Sequence, residues 1–448
     1  MVFVLPDTLP ALGGGTAPVT VTPPPAPAHL TLAQALTMPG VVWNAGIDLL
    51  AADEATPLEP GGAYDLTAAD RMLPGSATMT LDVSMTTLRT LSFSLRTSDG
   101  RYLPGAAGAP SGGAGSPLAT GLTWFGVRYR PWLDVQVGAQ PGSGAPLWQR
   151  TFLGVYVLTQ PQITLNPQQS LAQLTLGDKS VLLLKPYVLT ASNLPQYTAS
   201  GGHAASGYAK GSTFDEAMRD MATRGGVPAG RLHFEPSAMT LPDDYAVVEG
   251  DEPWVHLQTL AAAMPHVCYF DALGNLVRRQ NPLAVNTPSV WTFAPGPLAT
   301  VGQVQRTTDF TSTYNHIIVL GGSSSTQLWR GEAQLNDASS PYHMNEIGDR
   351  ITFWGQNGLG DLTPDPTIGS TAAAQAKAAV LLAQHLGQQE AIQIQCRTLP
   401  QLAPYDRITA QLAGAGLNTD AQVTQATITL DTTGQMTLTG AKWIAVGS

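Results

Sequence analysis

Charge is scarce in this sequence, and positive charge is scarcest: 22 Lys and Arg stand against 32 Asp and Glu, a formal net charge of −10. A protein that grips nucleic acid normally carries a basic excess, so that class is disfavoured. A wall past which a polyanion slides is not, because acidic surface repels phosphate. Residues 1–70 contain no basic residue at all, and Met1 to Leu12 lacks the positive start of a secretory leader. Synthesis in a cytoplasm is the expectation. No apolar run reaches spanning length, since Gln375, Lys377, Gln384 and His385 interrupt the Ala-rich stretch. Cysteine is nearly absent: Cys268 and Cys396 lie far apart in apolar, strand-like stretches and read as buried free thiols rather than a disulfide.

Signatures of site chemistry are missing too. The eight histidines (His29, His203, His233, His256, His266, His316, His343 and His385) form no His-Glu-x-x-His or other metal spacing. There is no Cys-x-x-Cys, nucleophile elbow, phosphate loop or dinucleotide glycine pattern. Acidic pairs occur at Asp243-Asp244 and Asp251-Glu252, with Asp361 and Asp365 close together. A glycosidase needs two carboxylates across a cleft. Here loop charges, helix N-terminal acids and turn residues explain them better. The tryptophans are dispersed, as core and interface packing would have them. Arg278-Arg279, the one basic doublet, could meet an acidic neighbour or DNA, but reads best as a solvated strand end. The expectation is no catalytic residue, no cofactor and no metal.

What the chain does have is turns and alternation. Gly numbers 46 and Pro 35, mean hydropathy is +0.02, and 448 residues allow two to four domains. Residues 1–70 read as a Pro-rich N-terminal arm, extended over Ala17 to Ala28, with a short helix from Thr31 to Thr37. Residues 71–190 read as β: Leu91, Phe93 and Leu95 share one face, a Gly/Ala/Ser/Pro loop runs from Gly105 to Pro117, and strands follow at 126–130, 132–137 and 148–159. A hairpin turns at Asn166-Pro167, and Asp178-Lys179 leads to an apolar run. Residues 191–300 read as a small α+β unit. Thr213 and Glu216 form a capping box, Phe214, Ala217, Met218, Met221 and Ala222 fall on one helical face, and a second helix starts at Pro253. A hairpin then spans 267–279. Residues 301–448 return to β around one helix, 371–386, and close with a hairpin at Asp431-Thr432-Thr433-Gly434.

In order, Tyr314 to Gly322, the Ser339-Ser340-Pro341-Tyr342 turn, Ile347 to Arg350, the Ala-rich helix, Leu399 to Ile408 and two Thr-rich strands resemble the C-terminal part of tail-hub, or baseplate hub-like, proteins of long-tailed bacteriophages. Upstream, the Arg89 to Ser92 strand, Leu153 to Val157, the hairpin and Leu176 to Ser180 look like the N-terminal β domain of siphophage tail proteins. The resemblance implies a mainly β chain in which two tube-type β-barrel-like domains flank an α+β module. It implies a structural virion subunit and no enzyme: a homotrimeric hub ring at the tail tip. Such a ring joins the distal tail or tail tube protein to the tip or spike. Its lumen passes DNA and the tape measure protein without specific binding. A hexameric distal-tail adaptor and a tail-borne cell-wall hydrolase are the alternatives, and a tailocin or other injection system fits equally. In a ring the net charge multiplies, which predicts an acidic lumen.

Overall fold

The computed structural model describes residues 30–38, 40–56, 63–65, 72–73, 75–96, 126–140, 143–165, 170–185, 188–198, 204–282, 287–296, 300–308, 314–324, 327–354, 365, 367–388, 390–412 and 417–442. The expected extended arm, the Gly105–Pro117 loop, the Asn166-Pro167 turn, His29, His203 and Asp361 lie outside them.

The N-terminal half contributes helix α1 (Leu32–Thr37) and strands β1 (Trp43–Leu50), β2 (Ala63–Asp65), β3 (Thr78–Asp82), β4 (Arg89–Arg96), β5 (Arg128–Ala139), β6 (Pro146–Phe152), β7 (Tyr156–Leu165) and β8 (Ser170–Asp178). Thr31 and Gln34 close a reciprocal capping box on α1. β4 alternates as the sequence requires, with Leu91, Phe93 and Leu95 buried. Three local expectations change. β1 lies in the stretch read as an arm, yet it pairs with β5 along its whole length, Trp43 to Leu50 against Val135 to Arg128. β5 runs unbroken through Pro131. The Pro131 carbonyl faces Leu153, on the side where β6 ends and β7 begins, so the missing N–H costs no ladder bond to β1. The single strand expected at 148–159 is two, because Gly154 takes φ 144 between β6 and β7.

The middle of the chain holds α2 (Ser180–Leu183), β9 (Gln196–Thr198), β10 (Ala204–Tyr208), α3 (Phe214–Arg224), β11 (Leu232–Phe234), β12 (Tyr245–Ala246), α4 (Pro253–Ala263), β13 (His266–Phe270) and β14 (Leu276–Gln280). The capping box at Thr213–Glu216 forms, and the five expected apolar residues of α3 are all buried. Pro253 opens α4, whose Trp254, Leu257, Leu260 and Ala261 pack into the same core as α3. This unit is pinned to the N-terminal strands by buried polar contacts. Trp254 Nε1 donates to the Thr86 carbonyl at 2.9 Å, and Arg89 Nη1 to that of Phe270 at 2.5 Å. Lys179 Nζ meets Glu54 Oε1 at 2.6 Å and the Gly274 carbonyl at 2.9 Å.

The C-terminal part adds β15 (Trp291–Phe293), β16 (Val301–Thr308), β17 (His316–Ser324), β18 (Gln327–Gln334), α5 (Met344–Ile347), β19 (Ile351–Trp354), α6 (Thr371–Gln388), β20 (Glu390–Arg397), β21 (Arg407–Leu412), β22 (Leu417–Thr429) and β23 (Gln435–Lys442). β17 does not join the large sheet. It centres a three-stranded sheet, β18-β17-β19, against which Ala374, Ala378, Leu381, Leu382 and Leu386 of α6 build a third core. The helix approaches so closely that Gly331 of β18 sits on the backbone of Ala374 and Gln375.

The inserted unit has two three-stranded sheets of its own, β12-β10-β9 and β11-β14-β13, and the other strands form one sheet of 14 strands, with the path β16-β20-β23-β22-β3-β4-β8-β7-β5-β1-β2 and β6, β15 and β21 paired beside it. β22 and β3, from opposite ends of the chain, pair antiparallel, with Ala426 opposite Leu81 and Thr427 opposite Thr80. The two strand-rich halves thus share one sheet and one apolar core, which holds Leu91, Phe93 and Leu174 together with Ile394, Ile428 and Leu438. The chain is mainly β with a small α+β insertion, and among the described residues the large sheet does not close on itself.

Candidate functional site

The cluster most like a catalytic group lies in the inserted unit. Asp251 Oδ2 is 3.0 Å from His256 Nε2, and the Tyr245 hydroxyl is 2.8 Å from His256 Nδ1. Burial, then the Asp251 and Asp365 carboxylates, push the Tyr245 phenol above its ordinary value. It stays protonated and donates to the imidazole, so the chain of bonds fastens β12 to α4 and does not activate a nucleophile. Glu252 occupies the N-cap of α4, where an acid complements the helix dipole, and makes no side-chain cap bond. Asp243 and Asp244 serve the loop: Asp244 accepts from the Lys210 N–H at 2.8 Å. Asp365 accepts the Thr367 N–H and hydroxyl in a tight turn.

The basic doublet is not a solvated strand end. Arg278 is fully buried, paired with Asp215 at 2.5 Å and stacked over Phe234. Arg279 reaches Asp406 at 3.1 Å. Both arginines hold the inserted unit together or to its neighbour, and neither is offered to an outside partner. Their spacing in sequence carried no sign of this, because Asp215 and Asp406 are remote along the chain. His316 sits between Glu332 at 2.8 Å and Asp349 at 3.0 Å, an arrangement in which both ring nitrogens donate only when both carry protons. Both cysteines are buried free thiols, and burial pushes each up to about 12. Among the described residues no group of three His, Cys, Asp or Glu side chains is arranged for a metal ion, and no helix is long and apolar enough to cross a membrane.

The most extended polar surface among the described residues is one face of the large sheet. Residues paired across neighbouring strands project to the same side, so the register assigns each row to a face. One row runs Gln303, Gln395, Thr437, Thr427, Thr80 and Thr90. A second runs Gln305, Gln393, Thr439, Gln425 and Asp82. A third runs Thr429, Thr78, Ser92, Thr175 and Gln160, and a fourth Ser94, Gln173 and Gln162. These side chains are exposed or half-buried. The alternate residues of the same strands, such as Ile392, Ile394, Leu438, Ile428, Leu81, Phe93 and Leu174, are buried. Eight strands, β16 to β7 along the sheet, therefore present a hydroxyl and amide surface backed by an apolar core. Its charges are few: Asp82, which accepts from Gln425 Nε2, and Arg96 and Arg397 towards the margins. The period-two alternation of Gln and Thr was present in Glu390–Arg397 and Gln435–Lys442, but only the register joins the stripes.

Acids elsewhere are matched between elements. Asp48 pairs with Arg130, Asp134 with Arg150, Glu390 with Arg306 and Lys442, and Asp420 with Arg407. Thr409 and Arg407 hold the Asp420 carboxyl below its ordinary value against the opposing effect of burial.

Neither a protein-family model nor a curated protein matches the sequence. Solved structures do match the fold. A tail protein from Neisseria meningitidis MC58 is similar over 89% of this chain and 96% of its own, at 11% identity and a TM-score of 0.53. The 43 kDa tail protein of prophage MuSo2 from Shewanella oneidensis is similar over 89% of this chain and 98% of its own, at 10% identity and a TM-score of 0.53. In fold, across nearly its whole length, the chain is similar to these phage-type tail proteins.

Proposed function

We propose that this chain is a structural subunit of a phage tail tip, a trimeric hub ring that joins the tail tube to the tip and lets DNA and the tape measure pass. In this reading residues 71–190 and 301–448 build the wall, 191–300 is the inserted module, and β1 extends the wall from within residues 1–70. The carrying observation is that the two strand-rich halves share a single sheet, which across eight strands has one side in the core and the other exposed and polar. A wall needs such a sheet, and an enzyme does not. The fold likeness to tail proteins points the same way. The subunit works without a catalytic residue: the hydrogen-bonded groups at Tyr245, His256 and Asp251 brace the insertion.

The mass of the purified full-length protein, together with its position in purified tails marked by a bound antibody, tests this. The hub reading predicts a mass near three times 47.0 kDa and label at the tip. Six times that mass favours a hexameric adaptor. A monomer that releases fragments from peptidoglycan overturns the structural reading in favour of a hydrolase.

A further inference from the structure

Net charge alone suggests an acidic bore, but the surface available for a wall has a different chemistry. Across eight strands the exposed face carries Gln, Thr and Ser, with Asp82 as the one acid in the rows described above and two marginal cations, Arg96 and Arg397, the latter held by the Leu36 and Met38 carbonyls. Several acids elsewhere are paired with Arg or Lys between elements, as at Asp48, Asp134, Glu390 and Asp420. We infer that this face is a neutral sliding surface for duplex DNA, one that touches phosphate through uncharged hydroxyls and amides and neither attracts nor repels it. The inference rests on the reading that the sheet walls a bore, and it adds what that wall does to its cargo.

The physical argument is one of counterions. Lys and Arg bind DNA by displacing condensed cations, which makes affinity steeply dependent on salt. Hydroxyls and amides hydrogen-bond phosphate without that displacement. A contact made by Thr80 or Gln395 is therefore weak, exchangeable with water, and similar at every position along the duplex. Repulsion from the face itself is small, because Asp82 is the one acid in these rows. The alternation keeps this surface polar: the large apolar side chains of the same strands, such as Ile394 and Leu81, are turned into the core, and the charges on the face are Asp82 and, towards its margins, Arg96 and Arg397.

The test uses the assembled full-length protein, its mass measured in the same sample, with fluorescent linear duplex and a covalently closed circle of the same sequence. Wild-type rings are expected to bind neither at any salt. Rings of the double variant Thr80→Lys and Gln395→Lys are expected to bind the linear duplex but not the circle, because only a free end can thread a bore. That binding falls at least about tenfold between about 50 and about 200 mM salt, following a log–log slope of about −0.9 per phosphate neutralised. Equal binding of line and circle by the variant puts the face outside the ring and overturns the inference. So does a variant ring of native mass and melting temperature that binds neither. A wild-type ring that holds linear DNA with steep salt dependence overturns it without any variant. A single-chain mass removes the ring reading itself, a failure distinct from that of the wall's chemistry.

Discussion

Arg279 and Asp406 meet across the seam between the inserted unit and the C-terminal strands, Nη2 donating to Oδ1 at 3.1 Å and to the Pro404 carbonyl at 2.9 Å. The guanidinium also lies over Tyr269, which packs against Tyr405. Asp406 is turned inward to accept the Ala403 N–H. One arginine thus fastens β14 to the loop ahead of β21.

Replacing Arg279 with Ala leaves a mostly buried carboxylate with one partner fewer. A loss of about 1–2 kcal/mol in urea unfolding is expected. Asp406→Ala costs a similar amount, and the double variant costs less than the sum. Additive losses would show that the two residues act independently.

Lys377 of α6 is a buried cation whose ammonium reaches the Ala262 carbonyl near the end of α4 at 2.5 Å and lies over the Trp354 ring. Burial lowers it from 10.5 to about 8, with Asp365 opposing. Between those values the unfolded chain binds more protons than the folded one, so this group adds stability as pH rises through that window. The wild-type minus Lys377→Met difference in unfolding free energy should grow by at most about 1.4 kcal/mol per pH unit. Taking the difference removes the buried tyrosines and cysteines, whose raised values act in the opposite direction. A flat difference would contradict the assignment.

Gly331 faces the backbone of Ala374 and Gln375. Gly331→Ala has to push α6 off its sheet, so a loss of about 1–3 kcal/mol is expected. Thermal melting and hydrogen exchange in 371–388 would report it; an unchanged helix would mean the gap closes by other means.

Cys268 and Cys396 are predicted to resist a thiol reagent at mildly alkaline pH in the folded protein and to react together on denaturation, because burial holds both thiols protonated. Fast labelling of either in the folded state would place it at the surface.

Local structure was legible where one short segment decides it. The capping box at Thr213, the Pro253 start of α4 and the hairpin around Asp271 to Asn275 need only neighbours in sequence. Features set by distant partners were not. Pro131 looks like a break until β1 is found beside it, and Arg278 looks exposed until Asp215 covers it. β17 carries the pattern of any core strand, and nothing in its residues tells which sheet it joins. The polar face was half legible: Gln and Thr alternate visibly in β20 and β23, but the pairing of β22 with β3 that makes one surface of it follows from tertiary packing.

The most direct measurement is a reconstruction of the assembled tail tip at a resolution that resolves strands. The account predicts a closed ring of copies in which the β3–β22 seam is part of the wall and the Thr80–Thr427 side faces the axis. Copies lying off the axis, or a ring walled by the inserted unit with that seam on its outside, would contradict it.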